Sequence, residues 1–171
     1  MVNGMIHSMG PEQLLTLIDK FFPLIEPPIQ DQTGAYDLMS RRMAVGLLPD
    51  IAGCLGPQIV QYADRVINLL FFVLEGELPM EVKTIAISAI GEICLNIESD
   101  FMPYFNKSME MLVLAGQSSM ELTSQIAVAE DRRIIHDMRQ ATIDSFLCII
   151  NGVKSTEVAM TAEQHYEILT Q

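Results

Sequence analysis

The stretches Ile18-Asp19-Lys20-Phe21-Phe22-Pro23-Leu24-Ile25, Ala63-Asp64-Arg65-Val66-Ile67-Asn68-Leu69-Leu70 and Phe105-Asn106-Lys107-Ser108-Met109-Glu110-Met111-Leu112 are three copies of one pattern. Asp19, Asp64 and Asn106 occupy equivalent positions, so the copies lie 45 and then 42 residues apart. A period of that size belongs to arrays of paired helices, in which each unit hides its apolar face against the next. Such a chain works through extended surfaces instead of a single enclosed pocket.

The segments between these copies repeat as well. Met43-Ala44-Val45-Gly46-Leu47-Leu48-Pro49-Asp50-Ile51-Ala52 aligns without a gap on Ile85-Ala86-Ile87-Ser88-Ala89-Ile90-Gly91-Glu92-Ile93-Cys94. A weaker third copy is Ala141-Thr142-Ile143-Asp144-Ser145-Phe146-Leu147-Cys148, with Arg139 in place of Arg42 and Leu147 in place of the acid. The expected fold is therefore all-α, an α-α superhelix whose unit is one amphipathic helix, a short loop and a second amphipathic helix. The expected division is a helix tail over 1–9, repeats over 10–55, 56–98 and 99–154, and the start of a further repeat over 155–171. Both ends look like parts of neighbouring units, as in a piece of a longer array.

Glycine and proline punctuate this plan. Gly10-Pro11 opens the first helix and Pro27-Pro28 is expected to end it, because an interior proline removes a backbone donor. The return helix is expected from about Tyr36 to Leu55. The next starts at Gly56-Pro57 and runs to Leu74, with its partner from Glu81 to about Ile97. The third pair is expected over Asp100–Ala115 and Arg132–Val153. Between its helices, residues 116–131 are rich in Ser, Gln and Glu and read as a long connection, either functional or mobile.

Composition narrows the function. Ten basic against 22 acidic side chains give a formal charge of −12, which repels a phosphate backbone and favours basic partners over nucleic acid. Cys54, Cys94 and Cys148 are widely spaced in apolar stretches, as reduced core residues are, and lack the short spacing of a zinc site. The apolar run from Val66 to Leu74 is interrupted by Asn68 and is too short to cross a bilayer. The N-terminal residues lack the order of a signal peptide. His7, His136 and His165 fall on different elements, and no phosphate loop or nucleophile elbow is present, so no enzyme, cofactor or metal is expected. The 12 methionines suit adaptable core filling.

Glu81-Val82-Lys83-Thr84-Ile85-Ala86-Ile87-Ser88-Ala89-Ile90-Gly91-Glu92-Ile93 resembles the second helix of a HEAT repeat: an acidic residue, Val, a basic residue, then alanine-bearing turns ending near a glycine. Ala44 through Ile97, then Asp100-Phe101 to Leu112 and Gly152-Val153-Lys154, is similar to the C-terminal half of the importin beta (karyopherin beta) family of nuclear transport receptors. Pro49 and Leu147 depart from the pattern. The resemblance implies shuttling between cytoplasm and nucleus through the pore. It implies as partners an importin-alpha-type adaptor or basic cargo, Phe-Gly nucleoporins and the GTPase Ran. A HEAT-repeat scaffold subunit of a phosphatase, chromosome or trafficking complex, or another karyopherin, shares the same architecture.

Two surfaces carry the candidate residues. On the helix from Glu81, spacing assigns Val82, Ala86, Ala89, Ile90 and Ile93 to the buried stripe and Thr84, Ile85, Ser88 and Glu92 to the open, concave face. Gly46 and Asp50 are the equivalents one repeat earlier. Asp50 and Glu92, with Ser88 beside them, form a ladder of carboxylates suited to a basic partner; the competing reading makes them solvated, or links them to Arg41, Arg42 and Lys83. On the convex side, Tyr62, Phe72, Tyr104 and Leu114 recur in register. The resemblance implies a seam there for phenylalanine side chains, the alternative being packing between neighbouring helices.

Overall fold

The computed structural model describes residues 10–125 and 129–153, and every regular element among them is helical. The helices are α1 (Pro11–Gln30), α2 (Leu38–Leu55), α3 (Ala63–Glu75), α4 (Met80–Ile97), α5 (Phe105–Gln125) and α6 (Ala129–Gly152). Short 3-10 segments, Gly56–Tyr62 and Glu98–Tyr104, lead into α3 and α5. The expected tail over 1–9 and the further repeat over 155–171 lie outside the described residues.

The helices pack as pairs, α1 with α2, α3 with α4 and α5 with α6. In addition α1, α3 and α5 follow one another in one layer, and α2, α4 and α6 in the other. This is the two-layered solenoid that the period demands. One apolar core runs through it, from Leu14, Ile18 and Phe22 on α1 to Phe146 and Ile149 on α6. On α4 the spacing argument holds residue by residue: Val82, Ala86, Ala89, Ile90 and Ile93 are fully buried. By length and apolar content the stretch from Leu38 to Glu75 matches a membrane span. It is bent at Gly56, however, and its two halves pack in opposite layers.

Local chemistry sets the helix ends. Asp37 caps α2 by accepting a hydrogen bond from the Ser40 amide at 2.7 Å, which starts that helix at Leu38 and not at Tyr36. The preceding turn is built around Asp31. Its carboxylate accepts from the Thr33 amide (2.8 Å), the Thr33 hydroxyl (2.6 Å), the Tyr36 amide (3.0 Å) and the Arg41 guanidinium (2.9 Å). These donors, the Thr33 hydroxyl first, hold its pKa well below the usual carboxylate range. Gly56 and Glu98, 42 positions apart, end α2 and α4 with the same positive φ, 53° and 49°. The turn geometry thus recurs even where glycine has been replaced.

Three expectations from composition are corrected. α1 does not stop at Pro27-Pro28 but continues to Gln30, because Ile25, Pro28 and Ile29 are buried and that packing outweighs the missing amides. The helices expected to begin at Pro57 and Asp100 first make 3-10 turns and become α-helical only at Ala63 and Phe105. The long connection over 116–131 is largely helix: α5 runs through Gln125 and α6 starts at Ala129. Its Gln, Met and Glu residues are good helix formers. Buried Ser119 satisfies its hydroxyl on the Gly116 carbonyl at 2.7 Å, and Arg139 of α6 donates to the Ser119 carbonyl at 3.2 Å.

The layers are tied together differently. On the first-helix side a cation rests on an aromatic ring of the preceding helix beside a glutamate one turn further on. Arg65 sits 4.0 Å above the Phe22 ring and pairs with Glu26. Lys107 sits 4.6 Å from the Phe71 ring and pairs with Glu75 at 2.7 Å. Such exposed pairs contribute about 0.2–1 kcal/mol each and mainly fix the stacking register. On the second-helix side glycine permits closer approach. A Cβ at Gly91 would lie 2.9 Å from the Ser145 Cα, and one at Gly152 would lie 2.9 Å from the Cys94 carbonyl oxygen. The Ser145 hydroxyl completes that seam by donating to the Ile87 carbonyl at 2.7 Å.

Candidate partner-binding surfaces

Because α2, α4 and α6 stack in succession, the polar positions on their open sides form a row. Asp50 lies on α2 and Glu92 on α4, near enough that the charge of Asp50 is felt at Glu92. Burial first, and Asp50 second, push the Glu92 carboxyl above the ordinary glutamate value. Ser88 is half-buried one turn earlier on α4. Among the described residues neither Arg41, Arg42 nor Lys83 is ion-paired with these acids, and Arg41 pairs with Asp31 instead. One carboxylate oxygen of Asp50 is buried without a hydrogen-bond partner.

The row has a third member that alignment missed. Asp144 on α6 accepts from the Gln140 side chain at 2.9 Å. The half-buried Cys148 thiol is pushed up by burial, then by Asp144 and by Glu92, which places it in the field of both acids. Alignment put Leu147 at the acidic position; Asp144 comes one turn sooner on the helix. Its i, i+3 spacing from Leu147 was the available signal.

The raised Glu92 pKa gives a testable sign. A carboxyl that protonates more easily folded than unfolded lowers stability progressively as pH rises from the ordinary glutamate value through its folded pKa. Glu92→Gln is therefore expected to be more stable than the parent at neutral pH, with the advantage shrinking to nothing in acid. Thermal melts across that range check this; a gap independent of pH would refute it.

The four convex residues divide into two packing tyrosines and two cleft-lining residues. Tyr62 packs on Phe22, ring centroids 5.8 Å apart, and Tyr104 packs on Phe101 at 6.0 Å. The Tyr104 hydroxyl also donates to Asp64, and burial followed by that bond pushes its pKa up to about 12. Both tyrosines thus serve the packing of neighbouring first helices. Phe72 and Leu114 instead line two separate clefts. Phe72 shares one with Ile29 and Leu78. Leu114, half exposed, borders the other with Leu74, Met80, Met111 and Met138. Among the described residues no set of three His, Cys, Asp or Glu side chains is gathered as metal ligands.

Stacked helix pairs with a continuous core, one layer clamped by cations and the other closed by glycines, define a HEAT-repeat solenoid. The chain belongs to the importin subunit beta-1-like family, whose repeat model matches residues 1–171. It is 24% identical to importin subunit beta-1 of Saccharomyces cerevisiae over 143 residues, 83% of this chain and 16% of that protein. With the Arabidopsis thaliana protein of the same name it shares 26% over 158 residues, 91% of this chain and 17% of that one. It therefore spans about a sixth of the length of these relatives. Its fold is similar to that of Kap95p in a structure with RanGDP, with a TM-score of 0.83, 20% identity and coverage of 98% of this chain and 19% of that one. A Kap95:Nup1 complex gives a TM-score of 0.66 at 21% identity, covering 88% and 16%.

Proposed function

We propose that this chain is part of a karyopherin-type nuclear transport receptor and that its concave side grips a Lys/Arg-rich segment of an adaptor or cargo. The observation that carries this reading is that Asp50 raises the Glu92 carboxyl across adjacent repeats, while neither acid has an ion-pair partner among the described residues. Like charges held together raise each other's energy, and a partner's basic side chains relieve that cost. The role is binding alone, without catalysis, in a receptor moving between cytoplasm and nucleus through the pore. Family membership supports it, as does likeness to Kap95 structures solved with RanGDP and with Nup1. By the same likeness Ran and Phe-Gly nucleoporins are further partners, the latter at the clefts lined by Phe72 and Leu114.

The test is binding of a basic amphipathic helical peptide by the Asp50→Asn, Glu92→Gln double variant. Partly exposed pairs contribute about 0.2–1 kcal/mol each, so affinity is expected to fall about two- to thirtyfold, with slower association and a shallower salt dependence. Unchanged affinity and salt slope in a folded variant would return both acids to ordinary solvated surface. Failure to bind Phe-Gly peptides would favour a HEAT scaffold over a receptor.

A further inference from the structure

Two thiols meet in the seam where glycine brings α4 and α6 together. Cys94 is fully buried on α4, and its sulfur reaches the α6 backbone: a Cβ at Gly152 would lie 3.0 Å from the Cys94 Sγ. Cys148 stands on α6 one turn before Gly152, and its Cβ lies 3.1 Å from where a Cβ at Gly91, one turn before Cys94, would be. Each cysteine thus sits beside the glycine of the opposite helix, on the face that three- and four-residue spacing shares with its own. A disulfide needs Cα atoms within about 7 Å, whereas packed helix axes usually stand about 8–10 Å apart, so a bridge fits only at a point of closest approach. The glycines put that point at these residues. The charge of Cys148 is felt at Cys94, whose pKa burial first and Cys148 second push up to about 12. Access is graded, with Cys94 sealed in the core and Cys148 half-buried. Cys54 lies on α2, with α4 between it and α6.

We propose that Cys94 and Cys148 form a redox-sensitive clamp, in which oxidation by a peroxide joins them in a reversible disulfide that locks α4 to α6. The thiolate of Cys148, the accessible member, attacks one oxygen of hydrogen peroxide; the S–O bond forms, the O–O bond breaks and hydroxide leaves. The Cys94 thiolate then attacks the sulfur of that sulfenic acid, the S–S bond forms, and the oxygen leaves with a proton as water. Two thiols and one peroxide give one disulfide and two waters, and a dithiol reverses the bridge by exchange. In the reduced chain burial, then Asp144 and Glu92, hold the Cys148 thiol protonated, so the clamp stays open until oxidant is in excess. Once closed, it fixes the spacing of Glu92 and Asp144 and stiffens the array at one repeat junction. The clamp does not depend on the transport reading.

The experiment treats the whole chain with hydrogen peroxide, blocks the remaining thiols with an alkylating agent and maps disulfides by peptide mass spectrometry without reduction. The folded chain is expected to lose two hydrogens and to yield one linked pair, Cys94 with Cys148, while Cys54 is recovered alkylated. In urea, pairings that include Cys54 should appear as well. Dithiothreitol should restore the reduced mass. In the bridged chain amide exchange at Ile93, Cys94 and Ile149 is expected to slow by about tenfold or more. Cys94→Ala should leave Cys148 as a sulfenic acid that dimedone traps, and mapping of the parent decides the matter even if that variant fails to fold. Links through Cys54 in the folded chain, bridges only between separate chains, or over-oxidised Cys148 beside unmodified Cys94 in the parent would overturn the proposal.

Discussion

Phe22→Ala is expected to lower the stability of the chain by about 3–5 kcal/mol, the range for removing a buried aromatic side chain. Phe22 is fully buried at the junction of α1 with α3, where it supports the Tyr62 ring and lies under the Arg65 guanidinium. Truncation leaves a cavity, and it also removes the platform that sets the register of the first repeat on the second. The loss is large beside a total stability of about 5–15 kcal/mol for an ordinary domain. Urea unfolding measures it directly. Arg65→Met, which keeps the stem and discards the charge, should cost less than about 1 kcal/mol. If the two variants were equally destabilising, the clamp and not the buried ring would hold the first repeat on the second.

Gly91→Ala sets two effects of opposite sign against each other. Helix propensity alone favours alanine by about 1 kcal/mol in the interior of a helix. The new methyl group, however, would sit 2.9 Å from the Ser145 Cα and 3.1 Å from both the Cys148 Cβ and the Ser145 hydroxyl. A backbone atom cannot rotate out of the way, and Ser145 is further held by its bond to the Ile87 carbonyl. Overpacking is expected to win, with a net loss of about 1–3 kcal/mol, and Gly91→Val should be worse. Because Glu92 is the next residue, parting α4 from α6 also moves Glu92 away from Asp144 and Cys148. A stabilised alanine variant would mean that α4 and α6 meet elsewhere.

The candidate row of carboxylates was legible only in part. Asp50 and Glu92 follow from register alone, since a 42-residue repeat puts equivalent side chains on the same face of successive helices. That Asp50 raises the Glu92 carboxyl does not follow, because it depends on the approach of α2 to α4. Asp144 escaped because the alignment put Leu147 at the acidic position, one turn further along α6. For the convex residues, recurrence of Tyr62 at Tyr104 left a binding seam and helix packing both open, and the bond from Tyr104 to Asp64, between groups 40 residues apart, favours packing for Tyr104. Phe72 and Leu114, 42 positions apart, line successive clefts one repeat apart, where the period places them.

What the chain determined by itself was the architecture and the buried stripe. The repeat spacing dictates paired helices, and one apolar face per helix dictates that they stack. Both are local, periodic properties, and every copy of the pattern restates them. What only the tertiary structure decided was where the pattern is broken. Burial of Ile25, Pro28 and Ile29 carries α1 past its prolines, and Arg139 and Ser119 join α6 to the polar end of α5. The two glycines in the seam between α4 and α6 set how closely the inner helices approach. In each case the outcome depends on atoms far apart in sequence, whose packing or hydrogen bonding outweighs a local preference of about 1 kcal/mol for most residues and about 3 kcal/mol for proline.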